Sequence, residues 1–236
     1  MSSSQKIEFT KGVIDTIPLI VGAVPFGIIY GTLSQSSDLS MYGALALSSI
    51  VFAGSSQFVA LGLIASGSSI FIIIATTFLI NLRHLLYSFS LRQHLSHLPQ
   101  KWKIPLSFGL TDETFAVTFK HYSDNSSHNL KHWYFLGSFL FFYLNWQIFT
   151  VVGIIFGSSF PEIKDWGLEF AMSATFIGIV IPYLKSKPMI ITAIASSTLV
   201  LILKDLPNNT GLIISSIIGI SIGVLLELKL STSKKK

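Results

Sequence analysis

From Leu39 to Leu82 the chain carries no Asp, Glu, Lys or Arg. As one helix those 44 residues would run about 66 Å, roughly twice the ~30 Å hydrocarbon core of a bilayer, so the stretch has to turn back or cross more than once. The rest of the chain agrees with lipid as the solvent. Half of the 236 residues are hydrophobic, 11% are charged and the mean hydropathy is +0.65, whereas a soluble domain is nearer a quarter charged. So apolar a chain cannot screen its own surface from water around one globular core. The formal charge of +5 is not a nucleic-acid footprint, because its clusters lie at the N-terminus, around Arg92 to Lys103 and in Lys234-Lys235-Lys236, where topology signals sit. With no cysteine, no disulfide, thiolate metal site or cysteine nucleophile can form. The first residues show no cleavable signal pattern, and the reading calls for no cofactor.

Runs of about 20 apolar residues predict segments at 12–34, 41–65, 68–88, 133–157, 167–184, 188–203 and 210–228, with a weaker one at 104–120. The runs are long and lack period-2 alternation, so they read as helices. The expected fold is an all-α polytopic membrane helix bundle of about seven or eight segments, one integral domain over 1–236. Its first half, 12–120, carries the motifs and its second, 133–228, reads as a packing half. Trp102, Trp133, Tyr134, Trp166 and Tyr183 fit an interfacial belt, while Trp146 falls mid-span.

Positive charge puts both termini and the loops 92–103, 121–132 and 185–187 in the cytoplasm, and the turns near Asp38, 158–166 and 205–209 outside. If 41–65 and 68–88 both cross fully, the basic 92–103 loop lands on the wrong side. One segment is therefore expected not to cross. Ala53-Gly54-Ser55-Ser56-Gln57 is small and polar enough for a broken or re-entrant helix at 52–66, and 104–120, short and carrying Asp112 and Glu113, is the second candidate. Non-helical backbone at that depth survives only when buried in protein or lining a cavity.

An internal repeat is visible. Gly27-Ile28-Ile29-Tyr30-Gly31 resembles Gly153-Ile154-Ile155-Phe156-Gly157, and 52–58 resembles 170–176 in the same order. Repeats of this kind recur in secondary transporters, although apolar helices also share a small alphabet. The glycine pairs, and Gly219 with Gly223, argue for close helix packing and say nothing of a ligand.

The polar groups inside apolar segments are the candidates for chemistry. Gly54, Ser55, Ser56 and Gln57 either bond neighbouring helices or replace a solute's hydration shell, with Phe58 beside them. Asn81 and His84 share a helix face with Ser88, and Arg83 lies on the side of Tyr87. Arg83 is either a snorkelling anchor or a cation at the mouth of a polar route. Asp112 and Glu113, preceded by Thr111 and followed by Phe115, are adjacent carboxylates in an apolar segment. They either face a helix dipole or must be paired, wet or protonated, with Arg83 and His84 as natural partners. Asp15 reads as an interfacial anchor or a similar buried acid. His94, His97, His121, His128 and His132 match no ligand spacing and are expected in solvated loops.

Three of these motifs occur in the order found in the AzlC-type branched-chain amino acid permease family, which the chain resembles over about 10–230: Ala53-Gly54-Ser55-Ser56-Gln57-Phe58-Val59, Leu82-Arg83-His84-Leu85-Leu86-Tyr87 and Gly109-Leu110-Thr111-Asp112-Glu113-Thr114-Phe115-Ala116, preceded by Pro25-Phe26-Gly27. The resemblance implies export of branched-chain amino acids across a bacterial inner membrane with a small membrane partner of the AzlD type. A passive channel or a scaffold subunit is the alternative. No nucleophile–base pair suggests an enzyme.

Overall fold

The computed structural model describes residues 1–37, 39–124, 130–159, 181, 184–206 and 210–233. Among these the chain is an all-α membrane helix bundle without strands. Eight helices carry the argument: α1 (Ser3–Ser34), α2 (Met41–Val51), α3 (Gly54–Ala65), α4 (Ile70–Asn81), α5 (Arg83–Leu95), α6 (Gln100–Phe108), α7 (Asp112–Asp124) and α8 (Lys131–Ser159). Two more, Lys187–Ile202 and Thr210–Ser233, pack antiparallel, Gly219 against Ser196 and Gly223 against Thr192. Four helical stretches are long and apolar enough to cross a bilayer: α1, α4 with α5, α8 and the last helix. Their outer faces are apolar, with Phe71 71%, Phe78 64% and Leu225 66% exposed, far beyond the patches a soluble surface carries. Segment 167–184 except Ile181 and Leu184, the second half of the repeat at 170–176, Asp38, His128, Trp166 and Tyr183 lie outside the described residues.

α1 and α8 form the frame. Ser2 and Gln5 close a capping box at the start of α1. Gly12 meets Tyr134, Gly27 meets Phe149 and Gly31 meets Thr150 and Gly153, so the two helices run in the same direction. A methyl group at Gly12, Gly31, Gly137 or Gly153 would overlap a backbone carbonyl of the other helix. The two glycine pairs of the repeat thus face each other, and small residues bring the backbones together. Hydroxyls bridge the seam: Thr16 donates to Ser138 (2.7 Å) and Thr32 donates to the Gly153 carbonyl (3.1 Å), while Thr150 ties α8 to α2 through Ser48 (3.0 Å).

With α8 as a ruler, at about 1.5 Å per residue, the segments between the two frame helices can be placed in depth. α2 enters beside Tyr30, whose hydroxyl donates to the Ala44 carbonyl, and descends past Thr150 to Phe52, which packs on Tyr143 at 4.8 Å and Phe142 at 6.1 Å. There the chain reverses. α3 passes Trp146 at Gly54 and climbs back to Tyr30 through Phe58 (6.0 Å). α4 and α5 then cross the whole way, ending with His94 beside Lys131 at 3.1 Å. α6 starts at that end, with Trp102 on Trp133 (4.9 Å), and rises until Phe108 stacks on Phe52 (5.9 Å). α7 returns, so that His121 stacks on Tyr134 (3.7 Å) and the Tyr122 hydroxyl donates to the Lys131 carbonyl (2.6 Å).

The expected break at 52–66 and the one at 104–120 are therefore both re-entrant hairpins, entering from opposite faces and meeting tip to tip. This removes the charge conflict: the basic turn between α5 and α6 lies at the same end as the N-terminus of α1 and the start of α8. The predicted continuous segment 41–65 is instead two helices, because Phe52 sits at φ 43°, a left-handed conformation that ends α2 and costs a residue with a Cβ about 1–2 kcal/mol. Burial of its ring to 3% exposure among four aromatic rings offsets that cost. The segment expected at 68–88 continues to Leu95, so Arg92 is helical rather than in a loop. The histidine expectation is corrected. His121 is not solvated but stacks on Tyr134 and lies 3.4 Å from the Glu8 carboxylate, and His94 and His132 are helical rather than in loops. Tyr134, beside Trp133 near the start of α8, is buried against the protein and donates to Asp15 at 2.7 Å.

Two outcomes follow. Gly153→Val is expected to lower the melting temperature of the purified protein by overpacking worth about 1–3 kcal/mol, while Gly22→Ala, with no atom within 4 Å of the new methyl, leaves it unchanged. In the naturally cysteine-free chain, a single cysteine at His97 should be labelled from the same side of a vesicle as one at Ser2, and one at Gly67 from the other. A full crossing by 41–65 would put His97 opposite Ser2 and Gly67 on the same side as Ser2.

Candidate functional site

Three interruptions of helical backbone lie at one depth, at Phe52–Ala53, at Leu82 and at Gly109–Thr111. Each has a local cause. Ala53 is extended (φ −142°, ψ 99°) after the left-handed Phe52. Around Leu82 the chain tightens to bonds from Leu82 N–H to Leu79 O (3.3 Å) and from Leu85 N–H to Leu82 O (3.0 Å). Gly109 is required where it stands, since a Cβ there would overlap the Phe139 ring. Thr111 then caps α7 reciprocally: its N–H donates to the Thr114 hydroxyl (2.8 Å), and the Thr114 N–H donates to the Thr111 hydroxyl (3.3 Å).

Two helix N-termini consequently face each other in the middle of the bundle. α3 has no side-chain cap, and its first intrahelical bond is Gln57 N–H to Ala53 O (2.9 Å), so the N–H groups of Gly54, Ser55 and Ser56 have no partner within the helix. α7 opens with Asp112 and Glu113 in its first turn, where carboxylates meet the positive end of the dipole. Arg83 joins the two hairpins. It donates to the Ser55 hydroxyl (2.6 Å) and pairs with Asp112 (3.0 Å), whose other oxygen accepts from the Tyr87 hydroxyl (2.7 Å). Arg83 and Asp112 side chains are 24% and 22% exposed, and both line the same cavity.

The junction forms one wall of a cavity of about 390 Å³. Its polar wall holds Gly54, Ser55, Arg83, His84, Thr111, Asp112 and Glu113, and its apolar wall Leu19, Phe26, Phe52, Phe58, Phe142 and Trp146. Three buried nitrogens of the wall residues, Arg83 Nε, His84 Nε2 and Trp146 Nε1, have no hydrogen-bond partner within the described protein. Buried polar atoms are seldom left so, and all three belong to residues that line the cavity. No group of three His, Cys, Asp or Glu among the described residues could hold a metal.

Of the residues predicted from sequence, Gly54, Ser55, Phe58, Arg83, His84, Thr111, Asp112 and Glu113 come together on this wall. The others stand behind it or apart. Ser56 donates to Asn81 (2.5 Å), tying α3 to α4, and Gln57 is fully buried on α3. Phe115 stacks on Tyr87 at 4.4 Å and so steadies the hydroxyl that holds Asp112. Pro25 lies on the exposed side of α1, and Pro18 and Phe26 border the cavity in its place. Pro18, Leu19, Gly22, Ala23, Phe52, Phe142 and Trp146 were not singled out. Trp146 alone carried a signal, an aromatic amphiphile far from either interface.

Opposed re-entrant hairpins around a mid-membrane polar cavity define a polytopic membrane protein built like a solute carrier. The profile of the AzlC protein family matches residues 18–160, and the chain belongs to that family. It is 34% identical over 192 residues to an uncharacterised membrane protein of Archaeoglobus fulgidus, covering 79% of this chain and 80% of that one. It is 30% identical to the inner membrane protein YgaZ of Escherichia coli, covering 76% and 74%. It is 33% identical to the branched-chain amino acid transport protein AzlC of Bacillus subtilis, covering 70% and 64%. No solved structure matches the chain.

If Arg83 and Asp112 hold the hairpins together, Arg83→Gln and Asp112→Asn should each destabilise the purified protein by about 1–3 kcal/mol, because each leaves the other charge partly buried and unpaired. The double variant should lose clearly less than the sum in thermal melts; strict additivity would show that the pair contributes nothing.

Proposed function

We propose that the chain moves hydrophobic amino acids, branched-chain ones foremost, across a cell membrane. One observation carries the reading: a cation, two carboxylates and an uncapped helix N-terminus line the same mid-membrane cavity as a set of aromatic rings. A zwitterionic aliphatic amino acid presents the matching groups. Its carboxylate would meet the free N–H groups at the start of α3 and the Arg83 guanidinium, as anions do at helix N-termini. Its ammonium would meet Glu113 or Asp112, and its side chain would lie against Phe52, Phe58, Phe142 and Trp146. Such a pocket separates aliphatic side chains weakly, since one methylene is worth about 1–3 kcal/mol, so overlapping substrates are expected.

The two hairpins suit alternate opening, each tip closing the cavity from its own side. Asp112 or Glu113 is the carrier of a coupling proton in this reading, because a carboxylate that exchanges Arg83 for substrate can load and release one. The end bearing Lys6, Lys11, Arg92, Lys101, Lys103, Lys120 and Lys131 is placed in the cytoplasm by the positive-inside rule. The direction is export, with a small AzlD-type membrane subunit as partner. Family resemblance alone supports the direction and the partner; the Bacillus subtilis relative, a branched-chain amino acid transport protein, supports the substrate class together with the cavity's chemistry.

The test is uptake and efflux of labelled leucine in reconstituted vesicles, with and without a pH gradient and with and without the partner. Gradient-driven leucine flux is expected. Flux indifferent to the gradient would mark a passive channel, and no flux even with the partner would leave a scaffold role. Asp112→Asn should abolish transport yet insert normally in the membrane; wild-type flux from that variant would remove Asp112 from the mechanism.

A further inference from the structure

α5 and α6 leave the 96–99 turn and part, and between them lies a second groove of about 470 Å³ that shares no lining residue with the central cavity. Its floor is apolar, with Leu91, Leu106 and Leu110 buried to 5% exposure or less, while Phe89 on its rim is 67% exposed. The groove is therefore open sideways, toward the hydrocarbon of the bilayer rather than toward water. From Leu85 to Arg92 it descends about 10 Å along α5. At its end stand two cations, Arg92 and Lys103. Lys103 donates to the Ser96 carbonyl at 2.7 Å, and among the described residues neither cation has a carboxylate within ion-pair distance. Trp102, next to Lys103, packs on Trp133 and His132, which puts the two charges at the level where headgroups meet hydrocarbon.

We propose that this groove is a binding site for an anionic phospholipid, with an acyl chain along the leucine floor and the phosphate between Arg92 and Lys103. The charge pattern selects this occupant. An apolar slot alone would accept any chain, but two unanswered cations at its headgroup end favour a net negative lipid over a zwitterionic one, as basic pockets between membrane helices do. The lipid would fill the wedge between α5 and α6 and so brace the base of the α6–α7 hairpin.

Native mass spectrometry of the purified protein, offered phosphatidylglycerol or phosphatidylcholine with the same acyl chains, tests this. Wild type should retain phosphatidylglycerol preferentially. Arg92→Ala/Lys103→Ala should cut that preference by an order of magnitude or more, each cation near the headgroups contributing roughly a fivefold factor. Arg92→Ala alone, which spares the Lys103–Ser96 bond, should cut it partway, and Arg92→Lys should keep it. Leu106→Trp, which fills the floor, should lower retention of both lipids. Equal retention of the two lipids by wild type, or an unchanged preference in the double variant, would overturn the proposal. Displacement of phosphatidylglycerol by inorganic phosphate alone would reduce the site to a free-anion site and also overturn it.

Discussion

An arginine near the middle of a membrane has to be answered, and how Arg83 is answered organises this molecule. On insertion scales a lone arginine at that depth costs roughly 2.5–3.5 kcal/mol. Here its guanidinium spans two hairpin tips, bonding Ser55 on one and Asp112 on the other. Neither tip could stay at this depth by itself, since each exposes backbone groups that hydrocarbon cannot satisfy. On one side the Thr111 and Thr114 hydroxyls accept from backbone N–H groups at the start of α7, and the Thr114 hydroxyl also reaches the Gly109 carbonyl. On the other, the start of α3 has no side-chain cap, and its residues Gly54 and Ser55 line the cavity.

The frame that permits this is the parallel α1–α8 pair. Six glycines let the two backbones touch, and the hydroxyls of Thr16, Thr32 and Ser138 lock the seam. A seam so close leaves the remaining faces of both helices free to receive the hairpins from opposite ends. Phe52 shows how tightly the parts depend on one another. Its left-handed backbone is tolerable because Phe108, from the opposing hairpin, and Phe139, Phe142 and Tyr143, from the frame, surround its ring. Rigid packing at the tips and unsatisfied nitrogens just beside them are the two properties a binding cavity needs.

Much of this was legible before any coordinates. The charge-free run, the polar interruptions and the mismatch of the basic 92–103 turn together required a segment that turns back, and the residues Ser55, Arg83 and Asp112 stood out because each is expensive in lipid. What stayed hidden has physical reasons. Hydropathy sees a span and its composition, not a reversal carried by one backbone dihedral at Phe52. Most of the apolar wall was invisible because Leu19, Phe52 and Phe142 look like any lipid-facing side chain until their neighbours are known. His121 was misjudged since a histidine near a polar loop gives no sign of the Glu8 and Tyr134 that bury it from two other helices.

The central claim is that the tip of the α2–α3 hairpin borders a water-accessible site for a zwitterionic amino acid at mid-membrane. A single cysteine at Ala53, in the otherwise cysteine-free protein, measures this directly through its rate of modification by a small membrane-impermeant thiol reagent. The rate should be appreciable and should fall several-fold with saturating leucine, but not with isoamylamine or isocaproate, which lack one of the two charged groups. A cysteine that never reacts, or one that reacts at the same rate with and without leucine, would contradict the account.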